Sequence, residues 1–173
     1  MIRKATPSDI DAIERIYDTI HSCEEAGTCV IGWRHGVYPT RATANDALHN
    51  GYLYVLEHDG IIHGAAIINK NQLPEYAFGH WKVQAVDDDI LVLHTLVIDP
   101  NHPHCGYGTE LVDYYISMGR ALGCKALRID TQACNARARQ FYPRFGFSEV
   151  GIVKADFFGG QGYVDLVLLE KTL

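Results

Sequence analysis

Residues 90–131 restrict the fold more than any other part of the chain. An apolar run, Ile90-Leu91-Val92-Leu93-His94-Thr95-Leu96-Val97-Ile98, stops at Asp99-Pro100. A nearly continuous run of this kind reads as a strand buried on both faces. Gly106-Tyr107-Gly108 then opens a helix to about residue 122, with Leu111, Val112, Tyr115, Ile116, Gly119 and Leu122 facing inward. Gly123 is its C-terminal signal, and residues 126–131 read as the next strand. A helical crossover between two strands of one sheet makes them parallel.

The flanking segments allow hairpins. Residues 2–5 are a short strand. Thr6-Pro7-Ser8-Asp9 is a helix start, with a capping threonine and proline at the first helical position. Ile10, Ile13, Ile16, Tyr17 and Ile20 follow at helical spacing. Residues 22–39 read as irregular, and Thr40 caps a helix through about Leu48, closed by Asn50-Gly51. Residues 52–57 and 61–68 are strands joined by the turn signal His58-Asp59-Gly60. Residues 70–88 form a polar connection. After strand 126–131, Asn135 caps a helix carrying Ala138, Phe141, Tyr142 and Phe145, and residues 147–153 and 163–169 are the last strands. The expected fold is a mixed, mostly antiparallel α/β sheet of about six to seven strands with helices on both faces.

At 173 residues, 47% hydrophobic and 21% charged, the chain suits one globular domain spanning 1–173. A net charge of -6 argues against a nucleic-acid partner, which would show a basic face. The chain begins without an apolar signal core, and no apolar run approaches the ~20 residues that span a bilayer. Cys23, Cys29, Cys105, Cys124 and Cys134 form an odd set without a CxxC pair. These features predict free thiols, a cytoplasmic setting and no membrane contact.

Two chemistries compete at 99-DPNHPHCGYGTEL-111. His102, His104 and Cys105 are attractive metal ligands, but no second pair at zinc spacing lies nearby. The alternative is a backbone cradle. A glycine turn opening a helix points amides one way, and the helix end adds partial positive charge for a phosphate.

The context of that turn extends over two blocks. Ile98-Asp99-Pro100 with Gly106-Tyr107-Gly108 and Leu111, followed by Asn135-Ala136-Arg137-Ala138-Arg139-Gln140-Phe141-Tyr142-Pro143-Arg144-Phe145-Gly146-Phe147, resembles the central region of the GNAT acetyltransferase superfamily. The resemblance implies the GNAT fold, acetyl-CoA as co-substrate, no metal, and an amine acceptor that is a small molecule or a peptide. Dimers are common in that family. It places coenzyme contacts at Leu96, Val97, Ile98, His104, Cys105, Gly106, Tyr107, Gly108, Thr109 and Asn135. Tyr142 becomes the general acid toward the coenzyme sulfur, or a hydrogen-bond donor that steadies the thiolate; its plain alternative, which periodicity alone favours, is a core tyrosine on the inner face of its helix. The match departs at Pro103, where the family carries Gln or Arg, because proline supplies no donor.

His94 interrupts the apolar strand, where the family often has a glutamate base. A histidine near its ordinary pKa of ~6.5 can take that part or contact substrate; its plain alternative is a hydrogen-bonded structural residue. Glu24 and Glu25 lie where the family lines the acceptor side, although a solvated helix end explains them too. Trp33 and Tyr38 either shape the acceptor pocket or pack over the sheet edge. The rival to an enzyme is a silent acyl-CoA-binding module, and a weaker rival is a metal-binding protein using His102, His104 and Cys105.

Overall fold

The computed structural model describes residues 1–156 and 162–173. The chain divides into two compact units, Met1–Ile68 with His94–Tyr114, and Asn69–Leu93 with Tyr115–Leu173.

The first unit holds β1 (Ile2–Lys4), α1 (Ile10–Glu25), α2 (Arg41–His49), β2 (Leu53–His58) and β3 (Ile61–Asn69). β1 pairs antiparallel with β2, and β2 with β3. Asp59 and Gly60 both take positive φ, +52° and +75°, which the right-handed twist of a tight hairpin requires. Before α1, Pro7–Asp9 forms a 3-10 turn. The Asp9 carboxylate accepts from Thr6 N at 2.7 Å and from Arg3 Nη1 at 2.7 Å, tying the helix start to β1. Ile10, Ile13, Ile16, Tyr17 and Ile20 face a core shared with Ala44, Leu53, Val55, Ala65, Ile67 and Val97. This is the inward stripe that the spacing predicts. The helix, however, runs to Glu25 rather than fading at residue 22, so Glu24 and Glu25 sit on its last turn. The stop is Gly27, at φ +68°.

Strand β4 (Ile90–Ile98) belongs to both units. Its first four residues are all buried; from His94 onward buried and half-buried positions alternate. The expectation of burial on both faces therefore holds for Ile90–Leu93 and fails beyond, where one face opens. Gly64 of β3 lies so close to β4 that a Cβ would stand 2.8 Å from the Val97 carbonyl. The strand order is β1-β2-β3-β4, then β5 (Ala126–Gln132), β7 (Val164–Thr172) and β6 (Ser148–Ala155). Seven strands, mostly antiparallel and joined with helices, make the mixed α/β fold that the chain's pattern predicts.

In the second unit β4 pairs parallel with β5, from Ile90 opposite Ala126 to Leu93 opposite Ile129. The crossover is α3 (Tyr107–Ala121). Tyr115 is fully buried, and its hydroxyl donates to the Leu91 carbonyl at 2.7 Å and to that of Arg128 at 3.0 Å. Leu122 was expected inward but lies past the helix end and is 57% exposed. β7 pairs antiparallel with both β5 and β6.

The connection 70–88 is anchored rather than merely polar. Glu170 Oε2 accepts from Lys82 N at 2.8 Å and Val83 N at 3.2 Å. The buried Arg128 reaches Glu170 Oε1 at 3.4 Å, and its guanidinium lies 3.9 Å from the Trp81 ring centroid. Among the described residues, no helix is long and apolar enough to cross a membrane. Cys23, Cys29, Cys105, Cys124 and Cys134 are all free thiols, as their spacing predicts.

Candidate active site

In the first unit, β4 gives way to the glycine turn at Asp99. Asp99 N donates to the His63 carbonyl at 2.8 Å, and Asp99 Oδ1 accepts from Asn101 N at 2.9 Å. His104 and Gly106 both take left-handed φ, +63° and +80°. Nothing lies within 4 Å of a Cβ built at Gly106, so glycine is favoured there by backbone shape, not crowding. Pro103, His104, Cys105, Gly106 and Thr109 are exposed, while Tyr107 and Gly108 are half-buried. α3 starts at Tyr107, and Glu110 N closes its first turn on the Gly106 carbonyl at 3.1 Å. By helix geometry the N–H groups of Tyr107, Gly108 and Thr109 have no carbonyl one turn back. They lie behind an exposed loop, which is the setting an anionic pyrophosphate needs.

The metal alternative fails on geometry. His102 is half-buried and turns its ring edge-on to His63 at 4.5 Å, while His104 and Cys105 are exposed. Among the described residues no group of three or more histidine, cysteine or carboxylate side chains is placed to hold a metal ion.

Along β4, alternation puts His94, Leu96 and Ile98 on the open face. Val97 points into the core, which leaves only its backbone for a ligand. Thr95 is buried, and its hydroxyl is hydrogen-bonded to that of Tyr38. Tyr38 therefore meets the strand on the face opposite His94.

The end of α1 brings a second group of polar atoms together. Glu24 Oε1 accepts from Ile31 N at 3.1 Å and Gly32 N at 2.6 Å. Its other oxygen, Oε2, is buried without a hydrogen-bond partner. Glu25 is different: it is exposed and meets His35 Nδ1 at 3.0 Å. The solvated helix end thus describes Glu25 and not Glu24. Trp33 packs edge-on against Tyr38, with ring centroids 6.0 Å apart. Two residues that carried no role in the sequence belong to this group. Buried His21 meets the Pro39 carbonyl through Nε2 at 3.0 Å and leaves Nδ1 unpartnered. The buried Tyr17 hydroxyl is unpartnered as well, and burial, then Tyr38, pushes its pKa up. Tyr17, His21 and Glu24 are spaced by four and three residues, one stripe on α1. That spacing was the available signal.

In the second unit, Asn135 caps α4 (Ala136–Phe141), its Oδ1 accepting from Ala138 N at 3.0 Å. Pro143 cuts the helix short, and Tyr142 opens a 3-10 turn. Tyr142 is buried, and its ring lies 6.0 Å from that of Phe147. Burial, then the carboxylate of Asp130, pushes its hydroxyl above the ordinary tyrosine range. The group is a neutral O–H at pH 7, suited to donating a hydrogen bond and holding its proton more tightly than an ordinary tyrosine. Asp130 itself accepts from the Tyr76 hydroxyl at 2.7 Å. A carboxylate directly after Leu127-Arg128-Ile129 in β5 was its sequence signal.

The family model for the Acetyltransferase (GNAT) family matches residues 13–147. No curated protein matches the chain. Among solved structures, a Staphylococcus aureus Mu50 protein is 25% identical with a TM-score of 0.72, over 99% of this chain and 98% of that one. The ribosomal-protein-alanine N-acetyltransferase of Brucella melitensis is 21% identical with a TM-score of 0.70, over 100% and 99% of the two chains. A Salmonella typhimurium protein solved with its cofactor acetyl-CoA is 20% identical with a TM-score of 0.67, over 100% and 93%.

Proposed function

This chain belongs to the GNAT acetyltransferase family, whose members take an acetyl group from acetyl-CoA, and we propose that it passes that group directly to the amine of a small molecule or peptide. The two compact units act as one catalytic domain in this reading, because the family match runs through both.

The observation that carries the proposal is the loop ahead of α3. Left-handed backbone at His104 and Gly106 delivers an exposed turn to a helix N-terminus. The amides of His104, Cys105, Gly106, Tyr107, Gly108 and Thr109 hold the pyrophosphate there, and Asn135 contacts the coenzyme arm. This arrangement works without a side-chain donor at Pro103, because backbone N–H groups do the binding. Along β4, the backbone of Leu96, Val97 and Ile98 flanks the thioester, and its donors steady the carbonyl oxygen.

The reaction forms one N–C bond and breaks one C–S bond. The acceptor amine loses a proton, for which His94 is the base when the amine enters over the open face of β4; an amine held beside Tyr38 meets the opposite face of the strand and arrives neutral. The amine nitrogen attacks the acetyl carbon. The leaving sulfur takes the Tyr142 hydroxyl proton or is steadied by it. The raised pKa of Tyr142 favours the second of these, because a phenol that holds its proton tightly steadies the thiolate by a hydrogen bond more readily than it gives the proton up. Glu24 and Tyr38, with Trp33, line the acceptor side, and the unpartnered Glu24 Oε2 favours an acceptor that brings an N–H donor. Glu25, paired with His35 at the surface, contributes at its rim.

Release of free thiol from acetyl-CoA, followed against a panel of amines and peptides, tests the reading. Turnover with at least one acceptor is the expected result. Coenzyme binding without turnover across a broad panel would make the chain a silent acyl-CoA-binding module instead.

A further inference from the structure

One residue of β3 touches the glycine loop at three points. The His63 carbonyl accepts from Asp99 N at the start of the loop, at 2.8 Å. The His63 ring meets the edge of the His102 ring in the middle, with centroids 4.5 Å apart. At the far end Tyr107, the first residue of α3, stacks on it at 4.7 Å and 25°. Tyr107 also stacks on His58 at 5.2 Å, and the His58 and His63 centroids are 6.3 Å apart. That separation is far below the sum of the two stacking distances, so Tyr107 borders both imidazoles and is not sandwiched between them. His58 Nε2 continues the chain to Glu110 Oε2 at 2.9 Å, on the first turn of α3.

We propose that His63, gripping Asp99, His102 and Tyr107 at once, is the positioning residue that holds the loop in its coenzyme-binding shape, and that it does so only while its imidazole is neutral. The proposal rests on reading the 99–109 loop as the coenzyme cradle.

The loop needs such a grip. His104 is a non-glycine residue in left-handed backbone, a conformation that persists where surrounding contacts enforce it. His63 can enforce it because it is anchored in β3 and is only 6% exposed. Its Nδ1 is buried and has no hydrogen-bond partner. Protonating the ring puts an N–H on both nitrogens, so the cation would carry a buried Nδ1–H with no acceptor.

The charges facing the ring come from every element around it. Burial, then His102 of the loop, then His58 of β2 disfavour the proton. Asp99 at the end of β4 and Asp59 in the β2–β3 turn favour it, and the balance lowers the His63 pKa. From α3, Tyr107 adds a neutral ring and Glu110 is engaged by His58. The sign follows. A packed state that depresses a histidine pKa is favoured at neutral pH and loses that advantage as pH falls below about 6.5. The loop loosens in acid, and coenzyme binding weakens with it.

The test is the dissociation constant of coenzyme A, measured from pH 7.5 to pH 5.5 for wild type, His63→Ala and His63→Phe. His63→Ala, which removes the ring, should bind about tenfold more weakly at pH 7.5. His63→Phe keeps a flat ring that cannot take a proton, so it should bind like wild type at pH 7.5. Between pH 7.5 and 5.5 the wild-type constant should rise about threefold or more relative to that of His63→Phe, with a ceiling near tenfold set by an unperturbed histidine. Groups shared by both proteins, the coenzyme phosphates included, cancel in that ratio. In turnover, His63→Ala should raise KM for acetyl-CoA and leave kcat at saturation within about twofold. Wild-type affinity and wild-type pH dependence in both variants would overturn the role of His63 while leaving the cradle intact. Failure of wild type to bind coenzyme A at all would overturn the cradle itself.

Discussion

The Tyr76 hydroxyl donates to Asp130 Oδ1 at 2.7 Å, and Asp130 in turn is one of the two causes that raise the Tyr142 phenol above the ordinary tyrosine range. The first cause is burial; the carboxylate adds to it. Removing the charge in Asp130→Asn should bring the Tyr142 titration down toward the ordinary tyrosine range. Ultraviolet titration of tyrosinate, with Tyr142→Phe as the reference, reads this out. An unmoved titration would remove Asp130 as a cause.

Tyr142→Phe deletes the proposed donor and little else, since the ring still packs on Phe147. A general acid typically contributes 10²–10⁴-fold. The expected loss in kcat is therefore about 10²-fold, with the coenzyme dissociation constant within about twofold of wild type. Equal kcat values for the two proteins with every acceptor would exclude Tyr142 from the proton path.

Gly106 separates backbone shape from crowding. At φ +80° any other side chain is strained, although space for a Cβ is open. Gly106→Val should cost about 1–3 kcal/mol of stability or relax the turn. Either way coenzyme affinity should fall about tenfold or more, measured by calorimetry. Unchanged affinity would place the pyrophosphate elsewhere.

Glu24→Gln keeps an oxygen for the Ile31 and Gly32 amides and removes the charge that the proposed acceptor contact uses. KM for a productive amine should rise while the coenzyme dissociation constant stays put. If instead both constants move together, Glu24 acts through the fold.

Acid stability should report on Asp9. Its hydrogen bond to Arg3, opposed by burial and aided by Thr6, lowers its pKa to about 2. A depressed carboxylate stabilises the fold above the unfolded value near ~3.9 and ceases to do so as pH falls through about 2. The contribution is about 2 kcal/mol. Thermal melts of wild type should lose that amount between roughly pH 4 and 2, and Asp9→Asn should lack this step.

The legible parts of this protein were those where local pattern and global packing agree. Strand β4 was bounded correctly because Ile90–Ile98 is apolar throughout and Asp99-Pro100 cannot continue it. The glycine turn and Asn135 were readable for the same reason, as both are local backbone requirements. Misreadings came where polar residues hid a continuing helix. Cys23-Glu24-Glu25 looked like a loop, and the true stop, Gly27, stood two residues farther on. Leu122 looked inward only because the helix was extended one residue too far. His63 carries only a faint sequence signal because a single polar residue in an apolar strand ordinarily does structural work, and Asp130 carries no stronger one because it is one of several polar residues in β5. Their meaning depends on partners such as His102 and Tyr76, which only folding brings near.

The uneven burial of β4 has a practical meaning for anyone redesigning this protein. Residues 90–93 are sealed on every side, so each change there must repack a core. From 94 onward the strand behaves like a rack whose alternate pegs are less deeply set. His94, Leu96 and Ile98 are only half-buried, while Thr95 and Val97 hold the strand in place. Randomising those three positions together, and leaving the two between them alone, samples new reactivity while the buried anchors Thr95 and Val97 stay in place.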